Sequence, residues 1–195
     1  RLFERQSIVD SNEEKEEKFF NSKCYYARQD NYKKIKGMPI VYWANETDFK
    51  IFQEGIPLIE FGSPKQGLAT GNNDYFLKIW YEVNYNNIGF EIGNRESAKR
   101  SDFKWFPYNK GGDFRKWYGN AEYIVNWQND GYEIRNFRNA SGKLRSRPQN
   151  MSYYFKECIT WSKVTIGVFS VRYIPKGFIF DVAGCSVFFE NNKIL

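Results

Sequence analysis

Residues 104–120, KWFPYNKGGDFRKWYGN, set four cations, two tryptophans, two tyrosines and a Gly-Gly pair within 17 positions. Lys104, Lys110, Arg115 and Lys116 are groups that neutralise phosphates. Trp105, Tyr108, Trp117 and Tyr118 are rings of the kind that stack on bases or sugars. Gly111 and Gly112 would let the chain turn tightly between them. The same residues also fit a plainer arrangement, two aromatic strands joined by a turn with the rings buried and the cations in solvent.

Two further stretches carry binding chemistry. SPKQGLATGNNDYF offers Lys65, Gln66, Thr70, Asn72 and Asn73, polar groups that hydrogen-bond base edges or phosphates, among Gly67 and Gly71, where a backbone can approach a ligand closely. The alternative is a turn ahead of a strand. SGKLRSRPQN places Lys143, Arg145 and Arg147 in a loop with little apolar content, the kind of loop that a rigid scaffold presents to a groove, or simply a solvated one.

Catalytic chemistry is harder to assemble. The 195 residues contain no histidine, which removes the commonest general base and the usual metal imidazole together. Asp113, Glu122, Asp130, Asp181 and Glu190 are scattered with no spacing that forces two together, and they read as solvated or capping acids. There is no GxxxxGK[ST] phosphate loop, no Asn-Pro-Pro-aromatic tetrapeptide for a target amine and no Gly-rich loop for S-adenosylmethionine. Cys24, Cys158 and Cys185 form no CxxC pair, so neither a disulfide framework nor zinc is indicated, and a reducing cytoplasm is expected. No apolar run approaches the roughly 20 residues of a membrane span, and the opening RLFERQSIVDSNEEKEE has no signal-peptide core. The chain does not begin with Met and reads as a piece of a longer protein.

The charge is uneven. Lys and Arg number 29 against 23 Asp and Glu, a net +6, yet acids crowd the first third while residues 99–147 are rich in Lys and Arg. A basic half on a balanced chain suits a polyanionic partner.

The elements that would hold these groups follow from local patterns. Ser11 and Glu14 form a capping-box pattern ahead of a charged helix near 11–21. RQDNYKKIKG suggests a second helix stopped by Gly37, and DFKIFQEG a third, capped by Asn45 or Thr47 and closed by Gly55. MPIVYWAN reads as a strand or docking segment. YFLKIWYEV alternates at strand period, and KWFPY, EYIVNW, CITWSKV, FSVRYI and FIFDVAGCSVFF are further strand candidates. GYEIRNF and MSYYFKE are candidate helices. With 38 aromatic residues available for the core, the expectation is an α+β fold with a mostly antiparallel or mixed β-sheet and several short helices. Residues 1–56 are expected to form a helical lead-in packing on a recognition domain over 57–195, one globular unit overall.

GSPKQGLATGNNDYFLKIWYEV, KWFPYNKGGDFRKWYGNAEYIVNWQNDG, GKLRSRPQNMSYYFKECITWSKV and YIPKGFIFDVAGCSVFF together resemble one family. It is the PglX family of adenine-specific DNA methyltransferases from BREX phage-defence systems, in the region after the catalytic domain. FFNSKCYYARQDNYKKIKGMPIVYW fits the lead-in, so the resemblance covers nearly the whole chain. It implies a target-recognition domain akin to those of type I specificity subunits and restriction-modification methyltransferases, with no catalytic residue and no cofactor of its own. A separate domain of the parent would bind S-adenosylmethionine and methylate adenine N6. The implied partners are double-stranded DNA, that methyltransferase domain and other defence proteins, with no membrane. Carried over residue by residue, Lys65, Gln66, Thr70, Asn72 and Asn73 match the start of the recognition region. Lys110, Gly111, Gly112, Arg115, Lys116 and Trp117 match a second motif, expected at phosphates or a groove, and WSKVTIGVFSVRYIPKGFIFDVAG is expected as framework, with Trp161 and Phe180 in the core. Two alternatives stay open: a bifunctional protein that also cleaves DNA, and a protein-interaction module without base readout. A carbohydrate-binding module is disfavoured by the positive charge.

Overall fold

A computed structural model describes residues 2–3, 11–21 and 24–189. The chain divides into two compact units, Arg1–Pro57 and Leu58–Leu195.

In the first unit, β1 (Leu2–Phe3) pairs antiparallel with β2 (Cys24–Tyr25), and α1 (Asn12–Asn21) lies between them in sequence. Ser11 Oγ accepts the Glu14 N–H at 3.1 Å, and Lys18 meets Glu14 one turn back, so local charge and capping stabilise a helix that buries no residue. α2 (Gln29–Tyr32) is a single turn, shorter than RQDNYKKIKG suggests. α3 (Glu46–Glu54) begins at Asn45, whose side chain accepts the Asp48 N–H at 3.0 Å while Asp48 accepts the Asn45 N–H at 2.9 Å. MPIVYWAN forms no strand, and among the described residues no strand pairs with it.

The second unit contains β3 (Ser63–Lys65), α4 (Asn73–Phe76), β4 (Leu77–Ile79), α5 (Arg95–Arg100), β5 (Trp105–Asn109), β6 (Tyr123–Asn126) and α6 (Gln128–Arg135). β7 (Cys158–Ser162), β8 (Val171–Ile174), β9 (Ile179–Phe180) and β10 (Gly184–Phe188) follow. They form two four-stranded sheets. One runs β3-β10-β7-β8 and is antiparallel throughout; the other runs β4-β6-β5-β9, with β5 and β9 parallel. The fold is therefore α+β with antiparallel and mixed sheets.

Two elements differ from their sequence patterns for local reasons. YFLKIWYEV yields a strand only at β4, because Asn72 caps α4 in front of it and Glu82 accepts the Ile79 N–H at 2.8 Å, winding Trp80–Glu82 into a 3-10 turn. MSYYFKE yields only the turn Met151–Tyr153, after which Tyr154 and Phe155 leave helical geometry to enter the core. α6 opens with three consecutive left-handed residues, Asn129, Asp130 and Gly131. Asp130 is held there by Arg95 through two 2.7 Å bonds and by Arg135 at 3.0 Å. Burial opposes ionisation of Asp130, but the two guanidiniums outweigh it and hold the carboxyl below its ordinary range.

Rings join the sheets. Trp127 meets Tyr154 edge-on at 5.2 Å, Tyr154 meets Phe180 of β9 at 5.5 Å, and Phe180 meets Phe188 of β10 at 5.1 Å. Each such pair adds roughly 0.5–1.5 kcal/mol beyond the burial itself. Phe180 is thus core, whereas Trp161 is only half-buried. Phe106 is fully buried on β5 and meets Phe155 edge-on at 5.6 Å. Phe106→Ala is expected to cost about 3–5 kcal/mol of unfolding free energy, read as a lowered urea midpoint with an unchanged slope; a loss below about 1 kcal/mol would mean the ring does not fill the core.

Candidate nucleic-acid interface

The chain passes from one sheet to the other between β9 and β10, and residues 180–183 fasten Leu68, Asn109 and Lys163. Leu68 N–H donates to Phe180 O at 2.8 Å and Val182 N–H to Leu68 O at 3.1 Å. Asp181 N–H donates to Asn109 O at 2.9 Å, and Lys163 N–H to Ala183 O at 2.8 Å. Asp181 itself is 5% exposed. Its carboxyl lies 2.6 Å from the Tyr108 hydroxyl and accepts the Ala183 N–H at 2.6 Å. The Tyr108 oxygen also lies 3.1 Å from Leu68 O. The single Tyr108 proton thus faces two acceptors, the Asp181 carboxyl and Leu68 O. Burial raises the Asp181 carboxyl above its ordinary range, and burial together with the neighbouring Asp181 pushes Tyr108 far above that of a free phenol.

The stretches around 65–73 and 143–147 meet on this framework. Ala69 and Arg147 exchange backbone hydrogen bonds of 3.0 and 2.8 Å. Gly71 has φ +75°, and a Cβ there would sit 2.7 Å from Arg145 O, so only glycine admits so close an approach. Beside it, Thr70, Asn72, Asn73 and Asp181 line an open pocket of about 310 Å³. Thr70 is only 3% exposed, and its hydroxyl donates to Asn73 Oδ1 at 2.6 Å, while Asn72 Oδ1 caps α4 on the Tyr75 N–H at 3.2 Å. Thr70 and Asn72 are thus spent on shaping the loop, whereas Asn73 is exposed. Gln66 is exposed, and half-buried Lys65 lies 5.2 Å from the Tyr153 ring.

Lys143, Arg145 and Arg147 are all exposed. Their loop is stiffened from within: Asn139 Oδ1 accepts from Ser141 N, Ser141 Oγ and Lys143 N at 3.1, 2.7 and 2.9 Å, and Arg138 donates to Gly142 O at 2.8 Å. The Arg145 guanidinium lies 5.6 Å over the Phe137 ring.

Residues 104–120 are not a hairpin. β5 is an interior strand of one sheet, whereas Trp117 docks on β8 of the other, donating its N–H to Val171 O at 3.0 Å and accepting from Tyr173 N–H at 2.9 Å. Residues 110–116 form an arch from sheet to sheet. Gly111, at φ +83°, passes so near Ala183 that a Cβ would meet its carbonyl oxygen at 2.9 Å. Gly112 has φ +125°. Tyr108 is fully buried and Trp105 half-buried, so neither is a stacking platform; Trp117 is, at 71% exposure, and Tyr118 is exposed beside it. Lys104, Arg115 and Lys116 face solvent, and half-buried Lys110 rests 4.6 Å over the Tyr123 ring.

Two residues that their sequence context does not mark for the site prove central: Asp181, which reads as a solvated acid, and Arg172, which is buried in β8. Both lie in WSKVTIGVFSVRYIPKGFIFDVAG, the stretch expected as framework, but a charged residue type does not by itself signal burial. Asp113 and Glu122 are exposed, and Glu190 lies outside the described residues. Cys158 and Cys185 are free and buried, with the Cys158 thiol pushed up to about 12 by burial. Asp181 yields a pH test. Because its folded-state pKa is raised, its favourable contribution is full below about pH 4, the unfolded value, and is lost as pH rises through the folded value. Asp181→Asn mimics the protonated carboxyl, so urea unfolding across pH is expected to show the wild type losing stability relative to the variant as pH rises; parallel curves would refute a raised pKa.

The chain is 39% identical over a 202-residue alignment, 99% of its length, to the adenine-specific methyltransferase PglX of Lacticaseibacillus casei strain Zhang. It is 39% identical over 191 residues, 96% of its length, to the adenine-specific methyltransferase BrxX of Escherichia coli O9:H4 strain HS. No family model matches it. The chain spans 17% and 15% of the lengths of these two relatives. Along nearly all of its length, the chain is thus similar to one segment of the adenine-specific methyltransferases PglX and BrxX.

Proposed function

We propose that this chain is a DNA target-recognition part of a bacterial adenine-N6 DNA methyltransferase serving phage defence or restriction-modification. The observation that carries the reading is the joining of three basic stretches to one buried crossing, in a chain similar to a segment of adenine-specific methyltransferases. In this reading the cation-rich tips bind the phosphates of a duplex, which orients the chain, and polar groups beside them meet base edges. Lys104, half-buried Lys110, Arg115, Lys116, Lys143, Arg145 and Arg147 are the phosphate candidates, with Gln66 and Asn73 as exposed polar candidates in the 65–73 loop. Trp117 offers an exposed ring.

The parent methyltransferase would use S-adenosylmethionine as methyl donor. The described residues do not fit that group: the parallel pair β5–β9 has no glycine-rich turn leading into a helix, so no methyl-transfer step is assigned to them. No helix among the described residues is long and apolar enough to cross a membrane.

A second reading, docking to the methyltransferase domain or to another defence protein, is favoured by the exposed apolar side chains of the first unit, Met38, Ile40, Trp43, Ile51 and Phe52. Salt separates the two. Binding of the chain to a randomised duplex pool is expected to weaken steeply with salt. Replacing Lys110, Arg115 and Lys116 by Ala is expected to lower the slope of log affinity against log salt by about 0.9 for each phosphate that is no longer neutralised, with the melting temperature nearly unchanged. No duplex binding at low salt would reject target recognition in favour of docking.

A further inference from the structure

Arg145 stands on backbone held from several sides. Its N–H donates to Phe137 O at 2.9 Å, across a hairpin closed by hydrogen bonds between Asn139 and Lys143 and between Gly142 and Asn139. On the other side the Gly71 backbone comes so close that a Cβ there would meet Arg145 O at 2.7 Å. Ser146, the next residue, is buried, and its hydroxyl donates to Ile134 O. The Arg145 guanidinium lies over the Phe137 ring, which is itself fixed: it meets fully buried Phe76 edge-on at 5.1 Å and lies at 8° to the Tyr75 ring, 6.5 Å away. Yet among the described residues this guanidinium makes no ion pair and no hydrogen bond, so its N–H donors are all open. Lys104 and Lys116 also lie over rings, at 5.6 and 5.9 Å, but an ammonium is a point charge without a planar fork.

The fork suits a planar pair of acceptors. Phosphates accept any cation, and exposed Lys143 and Arg147 stand on either side to supply one. Bridges from Leu144 to Arg138 and from Arg147 to Ala69 hold the segment extended. Over four extended residues, Lys143 and Arg147 are roughly 13 Å apart, with Arg145 midway. The major groove of DNA is about 12 Å wide. A segment of that span sets its outer cations at the two phosphate rims and its middle residue over the base edges. Guanine alone presents two acceptors side by side there, O6 and N7, and the arginine fork can donate to both in one plane.

We propose that Arg145 is a base-reading residue that donates to O6 and N7 of one guanine in the major groove, with Phe137 as the positioning residue beneath it. This rests on the duplex-binding reading and adds to it a specificity determinant and the base it selects.

The test selects duplexes from a randomised pool with the 195-residue chain and with its Arg145→Lys and Phe137→Leu variants, sequences what each retains, and measures affinity against salt. The wild type is expected to enrich a motif with guanine at one fixed position. Arg145→Lys keeps the charge and should lose selection at that position alone, with salt slope and melting temperature unchanged. Phe137→Leu keeps the arginine and should relax selection at the same position; unchanged selection would overturn the ring's positioning role. Replacing the selected guanine by 7-deazaguanine removes N7 and preserves pairing, and should weaken wild-type binding about tenfold while leaving Arg145→Lys unaffected. Identical motifs from the wild type and Arg145→Lys, or an equal 7-deazaguanine penalty in both, overturns the assignment. So does an Arg145→Ala loss that is uniform across sequences and lowers the slope of log affinity against log salt by about 0.9, which makes Arg145 a phosphate contact. Duplex binding by the wild type with no base enriched overturns base reading and keeps the duplex-binding reading, whereas no duplex binding at low salt rejects both.

Discussion

The hydrogen-bonded pair Tyr108–Asp181 is the constraint on which the second unit depends. It sits where the chain crosses from β9 to β10, and the two sheets have no other covalent link so short: three residues separate Phe180 from Gly184. A carboxyl buried at that crossing would ordinarily be destabilising. Here it is satisfied on both oxygens, by a phenol from β5 and by the Ala183 N–H, and burial raises its pKa above the ordinary range. The neighbouring backbone then fixes the 67–69 segment on one side and Asn109 on the other. The ring chain Trp127–Tyr154–Phe180–Phe188 supplies the apolar half of the same junction.

From that junction the basic surface follows by short steps. The 65–73 loop is held by the crossing and in turn holds Arg147 through Ala69. The arch from Lys110 leaves β5 next to Asp181 and lands on β8 at Trp117. Exposed cations therefore stand on stiff backbone, so less conformational entropy is lost when a polyanion binds them. The acids behave differently: Asp130 is locked to two arginines, and Asp181 is buried, with its carboxyl raised above its ordinary range. The segment of the two adenine-specific methyltransferases to which the chain is similar amounts to 15–17% of their lengths.

What can be read from sequence is local. Ser11 and Asn45 cap their helices through hydrogen bonds to residues three positions on, and both caps are recognisable from the residues alone. The α+β class and most strands of the second unit follow from aromatic and β-branched runs broken by Gly and Asn. Sequence patterns fail where a distant partner decides. YFLKIWYEV alternates over nine residues, but only three find a strand beside them. MPIVYWAN finds none. The arch looks like a hairpin because Trp105 and Trp117 flank a Gly pair, yet the two tryptophans belong to different sheets, a fact set by residues 171–173 and 123–126. Surface cations are legible because charge needs no partner to stay in water; Arg172 and Asp181 are not, because their burial is decided by chain segments tens of residues away.

The 65–73, 110–117 and 143–147 segments, in this reading, form one duplex-binding surface. Amide hydrogen exchange of the whole chain, with and without an excess of mixed-sequence duplex at low salt, tests that most directly. Added protection is expected in all three segments together, with the first unit unchanged. Protection confined to the first unit, or to one segment alone, would contradict it.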